Sequence, residues 1–475
     1  MLNFGDRCGI MYSEQSLKER YILKIVIIGM GMIGRTMLGN LATEGHTITI
    51  IDEDKSRIEN LIERYDVTGV VGNGVCADIQ REAGVRSADF VIAVTPSDEK
   101  NILACMVANT IGADYTIARV RNPEYYGQIN DMKDSLGISM IVNPEKETAG
   151  EIFDMLNLPS VNQIEHFAGG KVSLVEIVVE EGCTLIGESL YTLRDKYDTN
   201  VLICAVQRGE EVIIPSGNFV IQEGDRINFT ADSYSLGGFL NEIHLNKSPL
   251  RKVIIVGGSK IAFYLAESLS STRKRFNVKL IESDTAICED IASKLPKVTV
   301  INGNGTKHDL LIEEGIEDTD AFVSLMDNDE ENIIVSMYAN SCGVRKTITE
   351  VKSNQLVGML GAIGIENNIS AKDTVADKVV SYIRAIGNSR GSNVNTLYRL
   401  VNNQVEALEF VAKKPSRIYD KQIRDLKFKE NCLIACIIRD GEVIFPDGND
   451  CIKLNDHVVV VTTHKNFDDL TDVID

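Results

Sequence analysis

Gly29, Gly31 and Gly34 follow the apolar run 25–28 and open a stretch of helical periodicity. Glycines at that spacing can hold a pyrophosphate. The first permits a tight turn, the second lets main chain approach a phosphate, and the third lets helix and sheet pack closely. Met30, Met32 and Ile33 complete the loop. Its free N–H groups and the helix dipole favour negative charge there. The next apolar run ends in Asp52, an acid able to accept hydrogen bonds from adenosine ribose hydroxyls and to repel a 2′-phosphate. Gly72 and Asn73, in Val71-Gly72-Asn73-Gly74, continue the pattern. The residues predict a dinucleotide site that favours NAD over NADP.

Two further groups fall at ends of strands in the same predicted sheet. Arg119 and Arg121 end one strand, and Thr95, Ser97 and Asp98 follow another. Ligands of doubly wound sheets bind at the carboxyl ends of the strands. The arginines could therefore reach the phosphates or the far end of the ligand. Thr95, Ser97 and Asp98 read equally well as ligand contacts or, for Ser97, as a helix cap.

The same pattern returns about 230 residues later. Gly257, Gly258, Ser259, Lys260, Ile261 and Ala262 stand for the first loop, and Glu282 for Asp52. Serine at the second glycine position hinders close approach of the main chain. Glu350 and Lys352 take the places of Arg119 and Arg121, so one positive charge has become negative. Coulomb's law then predicts a weaker site for an anion, with Lys260 compensating in part. The second site is expected to be weaker, to take a different nucleotide, or to stand empty.

These residues need elements to position them. From Lys24 to Val142, short apolar runs alternate with helical patterns, which predicts a parallel sheet with helices on both faces. Beyond a connector the pattern changes to period two, with turns at 208–210 and 215–218, and predicts a small β-rich lobe. The cycle then repeats. Arg439-Asp-Gly441-Glu-Val-Ile-Phe-Pro446 closely matches Arg208-Gly-Glu-Glu-Val-Ile-Ile-Pro215. The expected organisation is an N-terminal extension (1–22), a first nucleotide-binding N-lobe (23–143), a connector (144–170) and a first C-lobe (171–245). A second N-lobe (251–370), connector (371–403) and C-lobe (404–475) follow. The fold class is α/β, with two tandem units.

Composition excludes several functions. A net charge of −20 over 475 residues argues against nucleic acid as partner, which needs a basic footprint. No run of about 18 apolar residues predicts a membrane-spanning helix. Residues 1–22 are polar and lack the apolar core of a signal peptide. The ten cysteines are scattered, with no C-x-x-C pair, and read as reduced thiols rather than metal ligands. No metal site and no catalytic residue is expected.

The chain resembles the RCK (KTN) family. The resemblance rests on the glycine pattern, Arg81-Glu-Ala-Gly84, Ala93-Val-Thr95-x-x-Asp98-Glu99-x-Asn101 and Ile117-Ala-Arg119-Val-Arg121-Asn-Pro123-Glu124-Tyr125. Asn328-Asp329-Glu330-Glu331-Asn332 adds to it in the second half. It covers residues from about 23 to the end. It implies a cytoplasmic regulatory subunit, peripheral on the inner face of the cell membrane. Such a subunit binds NAD⁺ or NADH, with ATP or ADP as alternative effectors. Carried onto this chain, the ligand groups are Gly29 through Ile33, Asp52, the Thr95–Asp98 loop and Arg121. The resemblance further implies a homodimer or homotetramer forming a gating ring beneath a separate membrane-embedded potassium transporter of the Trk type.

Two other readings compete. An NAD-dependent oxidoreductase would need an acid–base residue facing the nicotinamide, and the small lobes offer no obvious constellation. His166 and His244 read as linker residues. A regulator of a different potassium channel or efflux system would share every motif above.

Overall fold

The computed structural model describes residues 22–475 except 162, 168–170, 198–200, 233–235, 246–248, 273–275, 366, 390–393, 401–403, 413–417, 465–466, 468 and 475. The expected N-terminal extension, Ile22 apart, lies outside the described residues.

The first N-lobe runs β1 (Lys24–Ile28), α1 (Met32–Ala42), β2 (Thr47–Asp52), α2 (Lys55–Arg64), β3 (Thr68–Val71) and α3 (Ala77–Glu82). It continues β4 (Phe90–Ala93), α4 (Asp98–Ile111), β5 (Tyr115–Arg119), α5 (Tyr126–Met132) and β6 (Met140–Val142). All six strands are parallel, in the order β3-β2-β1-β4-β5-β6. Helices cover both faces, so central strands such as β4 are apolar throughout rather than alternating. The order reverses between β1 and β4, which opens a crevice at their carboxyl ends.

Helix α6 (Pro144–Asn157) leads into the first C-lobe: β7 (Gln163–Phe167), β8 (Val172–Val178), α7 (Leu190–Lys196), β9 (Val201–Arg208), β10 (Glu211–Ile213), β11 (Arg226–Asp232) and α8 (Leu236–Glu242). Its sheet is antiparallel, in the order β10-β9-β11-β8-β7.

The second half repeats the first. Its N-lobe is β12 (Lys252–Val256), α9 (Lys260–Ser271), β13 (Asn277–Glu282), α10 (Thr285–Lys294), β14 (Thr299–Asn302), α11 (His308–Glu313), β15 (Ala321–Ser324), α12 (Asp329–Ser341), β16 (Lys346–Glu350), α13 (Asn354–Leu360) and β17 (Asn367–Ile369). The sheet order β14-β13-β12-β15-β16-β17 matches the first. Helix α14 (Ala371–Ser389) leads to β18 (Val394–Leu400), β19 (Val405–Val411), β20 (Cys432–Arg439), β21 (Glu442–Ile444) and β22 (His457–Thr462), an antiparallel sheet ordered β18-β19-β22-β20-β21.

The connectors differ from the sequence expectation in two ways. Each contains an edge strand of the following sheet, β7 within 144–170 and β18 within 371–403. An edge strand needs only one partner and tolerates polar residues, so Gln163-Ile-Glu-His-Phe167 carries a weak strand signal. His166 therefore lies in a strand rather than a linker.

The helices α6 and α14, moreover, are exchanged between halves. Ala149, Ile152 and Leu156 of α6 are buried in the core of the second N-lobe, beside Ile261 and Leu265. Val375, Ala376, Val379, Val380 and Ile383 of α14 are buried in the core of the first, beside Met37 and Leu41. Each fully buried Val, Leu or Ile contributes about 1.5–3 kcal/mol. Polar contacts fix the exchange: Arg384 of α14 pairs with Glu44 at 2.5 Å, and Lys378 with Glu147 of α6 at 2.5 Å. The two C-lobes also share a core, with Val172, Leu174 and Cys204 against Ala407, Cys436 and Val461.

Candidate nucleotide site

At the carboxyl end of β1 the chain turns through Gly29 at φ +98°, a conformation that disfavours any side chain. A Cβ there would lie 2.9 Å from the Thr95 nitrogen, so the loops after β1 and β4 nearly touch. A Cβ on Gly34 would collide with the Gly29 carbonyl oxygen. Gly31 is different. Its φ is −69°, and nothing lies within 4 Å of where its Cβ would stand. The space above the first turn of α1 is open there. Met30 is fully buried, Ile33 packs on the same core, and Met32 is exposed.

Asp52 is held from three sides. Oδ2 accepts from the Met30 N–H at 2.6 Å, Oδ1 accepts from the Asp54 N–H at 2.9 Å, and Arg57 Nη1 donates to both oxygens at 3.2 Å. The sequence reading missed Arg57. Its only signal was a cation five residues after the acid, on the first turn of α2. Gly72 and Asn73 lie after β3. A Cβ on Gly72 would lie 2.7 Å from the Ile79 side chain, and Asn73 Oδ1 accepts from the Val75 N–H at 3.1 Å. Both therefore shape the turn.

The loops after β4 and β5 are tied to each other. The Asn101 amide donates to the carbonyls of Thr95 and Arg119, both at 3.0 Å, and its oxygen accepts from the Thr95 N–H at 2.8 Å. Ser97 caps α4, accepting from the Lys100 N–H at 3.2 Å. Asp98 is buried and turned into the protein. Its Oδ2 accepts from the N–H groups of Arg121 at 2.8 Å and Asn122 at 2.9 Å. It positions the arginine loop.

Arg119 and Arg121 are both partly buried, packed near Asp98 and Glu145. Burial, then the neighbouring charge of Arg121, lower the pKa of Arg119, while Glu145 and Asp98 act the other way. Arg121 donates to the Pro96 carbonyl at 2.8 Å and lies 3.7 Å from both Asp98 and Glu145. Glu145, in the first turn of α6, was not foreseen. The structure thus brings the glycine loop, Asp52, Thr95, Ser97, Asp98, Arg119 and Arg121 to one edge of one sheet.

The second lobe keeps this framework and changes its chemistry. Gly257 turns at φ +101°. Glu282 accepts from the Gly258 N–H at 2.6 Å and the Asp284 N–H at 2.7 Å, with Ile287 where the first lobe has Arg57. Ser259 caps α9, accepting from the Ala262 N–H at 3.4 Å. Asn332 repeats the bracket of Asn101, donating to Met326 and Glu350 carbonyls at 2.9 and 3.1 Å. A cavity of 430 Å³ lies beside Gly258, Lys260 and Phe263, with Asn122, Pro123 and Glu124 of the first lobe on its other side. Ile261 is buried. Glu350 is buried at the end of β16, and burial pushes its carboxyl up to about 7, with Lys352 opposing and Asp329, Asp327 and Glu145 reinforcing.

Among the described residues no group of three or more His, Cys, Asp or Glu could hold a metal ion. None of the described helices is long and apolar enough to cross a membrane.

Two doubly wound lobes with glycine loops, each joined by a helix to a small β lobe, define a protein of two tandem RCK units. The model of the TrkA-N domain matches residues 25–144 and 253–371, and that of the TrkA-C domain matches 174–257 and 407–475. The chain belongs to the TrkA family. It is 30% identical over 452 residues to the Trk system potassium uptake protein TrkA of Haemophilus influenzae, covering 93% of this chain and 96% of that one. It is 31% identical over 450 residues to the protein of the same name from Halomonas elongata, covering 93% and 96%. Among solved structures, the GsuK RCK domain shares the fold with a TM-score of 0.61 at 17% identity, covering 94% of this chain and 93% of that one. The GsuK channel bound to NAD has a TM-score of 0.62 at 17% identity, covering 94% and 77%.

Proposed function

We propose that this chain is a regulatory, non-catalytic subunit that binds NAD⁺ or NADH in its first N-lobe, with ATP or ADP as alternative ligands, and gates a separate Trk-type potassium transporter. The observation that carries the reading is the open space over Gly31, next to an acid held ready at Asp52. The relatives' name, Trk system potassium uptake protein, supports the transporter as partner. GsuK, which shares the fold, is a channel that has been solved with NAD bound.

Ligand binding can bias a pore only if affinity differs between two conformations of the regulator. A tenfold difference corresponds to about 1.4 kcal/mol. The exchanged helices give the two lobes a shared body through which such a difference can act. Subunits assemble as a homodimer or homotetramer beneath the transporter, at the inner face of the membrane.

Calorimetric titration of the full chain with NADH, NAD⁺ and ATP tests the reading. About one nucleotide per chain is expected, lost in Asp52→Ala, with nucleotide-dependent flux through a co-reconstituted transporter lost in the same variant. Steady turnover of NADH with a 2-keto acid, or flux control surviving in a folded Asp52→Ala protein, would overturn it.

A further inference from the structure

The acceptor positions of Asp52 are filled. A carboxylate offers about four lone-pair sites. The Met30 N–H takes one on Oδ2 at 2.6 Å, the Asp54 N–H takes one on Oδ1 at 2.9 Å, and Arg57 Nη1 contacts both oxygens at 3.2 Å. The two main-chain groups belong to the turns after β1 and β2 and are fixed by the fold. Arg57 is held less firmly. It stands on the first turn of α2 with its side chain 40% exposed, against 10% for Asp52. Its Nη2 lies 3.5 Å from Asp54 Oδ2, so the guanidinium has a second carboxylate within reach when it leaves Asp52. Position 57 also fronts the glycine loop, as its counterpart shows. Ile287 lines the cavity beside Gly258 and Lys260 in the second N-lobe, and its Cγ2 would lie 2.7 Å from a Cβ on Gly258. There Glu282 accepts from the Gly258 and Asp284 N–H groups and, at 3.0 Å, from the Ser283 hydroxyl. An apolar side chain stands where the first lobe has a cation.

We infer that Arg57 sets the ribose selectivity of the first N-lobe: it competes with a ribose 2′,3′-diol for the oxygens of Asp52, and it offsets the repulsion between Asp52 and a 2′-phosphate. The ligand class is the adenine dinucleotides, and the inference rests on the function proposed above. An acid at the end of the second strand favours a free diol, whereas an arginine nearby accommodates a 2′-phosphate. This chain holds both, one bonded to the other. A diol gains acceptor positions on Asp52 only as Arg57 turns to Asp54. A 2′-phosphate meets a guanidinium already beside Asp52, and its planar fork suits a phosphate. The preference for NAD over NADP that Asp52 alone predicts is therefore narrowed.

Calorimetric titration of the full chain with NADH and with NADPH tests this, in the wild type, Arg57→Met and Arg57→Lys. In Arg57→Met, NADH is expected to tighten by about threefold and NADPH to weaken by about threefold, so the ratio of their dissociation constants changes about tenfold. Arg57→Lys keeps the charge and is expected to hold NADPH within about twofold of the wild type. An arginine with a merely structural role would move both dinucleotides in the same direction and lower the melting temperature. That result, or an unchanged ratio in Arg57→Met, overturns the inference. Equal loss of NADPH in the Lys and Met variants overturns it as well. If neither dinucleotide binds the wild type, the nucleotide reading of the lobe falls and takes the inference with it; if NADH binds and the ratio does not move, the inference falls alone. Should Arg57→Met fail to fold, Arg57→Gln is expected to shift the ratio in the same direction, and no shift overturns the inference.

Discussion

The Tyr264 hydroxyl, on α9 of the second half, donates to the Arg121 carbonyl of the first half at 3.2 Å and accepts from the Asn143 amide at 3.0 Å. One phenol thus joins the arginine loop, the start of α6 and the opposite lobe. Burial pushes it up to about 12. Its stabilising effect is therefore full below its unfolded pKa near 10 and is lost as pH rises from there toward 12. Tyr264→Phe is expected to cost about 1–2 kcal/mol in urea unfolding, by the same amount at pH 6 and pH 9. An unchanged midpoint would show that the joint contributes nothing to stability.

Two glycines of one loop are expected to fail differently. Gly31→Val places its side chain in open space, so the fold should survive while nucleotide titration falls silent. Gly34→Ala drives a methyl into the Gly29 carbonyl oxygen, and overpacking of this kind costs about 1–3 kcal/mol. Thermal melts and calorimetry on both variants separate the two effects. Equal loss of stability would remove the argument that the space over Gly31 exists for a ligand.

Glu350 gives the second lobe a pH response. Its carboxyl is raised to about 7 by burial, while the unfolded carboxyl titrates near 4.5. Between those values the unfolded chain releases a proton that the folded chain retains, so stability falls as pH rises from about 4.5 to 7. Glu350→Gln is expected to raise the melting temperature relative to wild type at pH 8, with the difference closing at pH 5. A difference that does not vary with pH would contradict this.

The brackets at Asn101 and Asn332 are equivalent, each bonding the loops after two neighbouring strands. Removing either leaves buried main-chain groups without a partner. Asn101→Ala and Asn332→Ala should each cost about 2–3 kcal/mol, and the double variant about their sum, since the sites are far apart. A double variant no worse than either single one would show that the brackets are not independent.

Periodicity alone made the N-lobes legible, because parallel strands buried on both faces leave continuous apolar runs such as Phe90–Ala93. The glycine loop was legible for a related reason: each glycine answers a local steric demand. What stayed hidden depends on groups brought together from afar. Arg57 turns back onto Asp52, Asp98 turns inward to two main-chain N–H groups, and Tyr264 meets the Arg121 carbonyl more than a hundred positions away. The edge strands β7 and β18 escaped notice because one-sided pairing places little demand on residue type. The apolar stripes of α6 and α14 were visible as helices, but nothing in their spacing says which core they enter.

That exchange bears on how such a chain can arise. Each half supplies a helix that the other half cannot do without, as two copies of a shorter polypeptide would if they embraced symmetrically. A single-unit ancestor would have built this body as an intertwined homodimer. In such a dimer every substitution appears twice. Once both copies lie on one polypeptide, Gly31 can persist while its counterpart becomes Ser259, and Arg119 can persist while its counterpart becomes Glu350. Fusion thus turns a symmetric object into one whose two sides can be selected for different tasks, without either losing the partner that completes it.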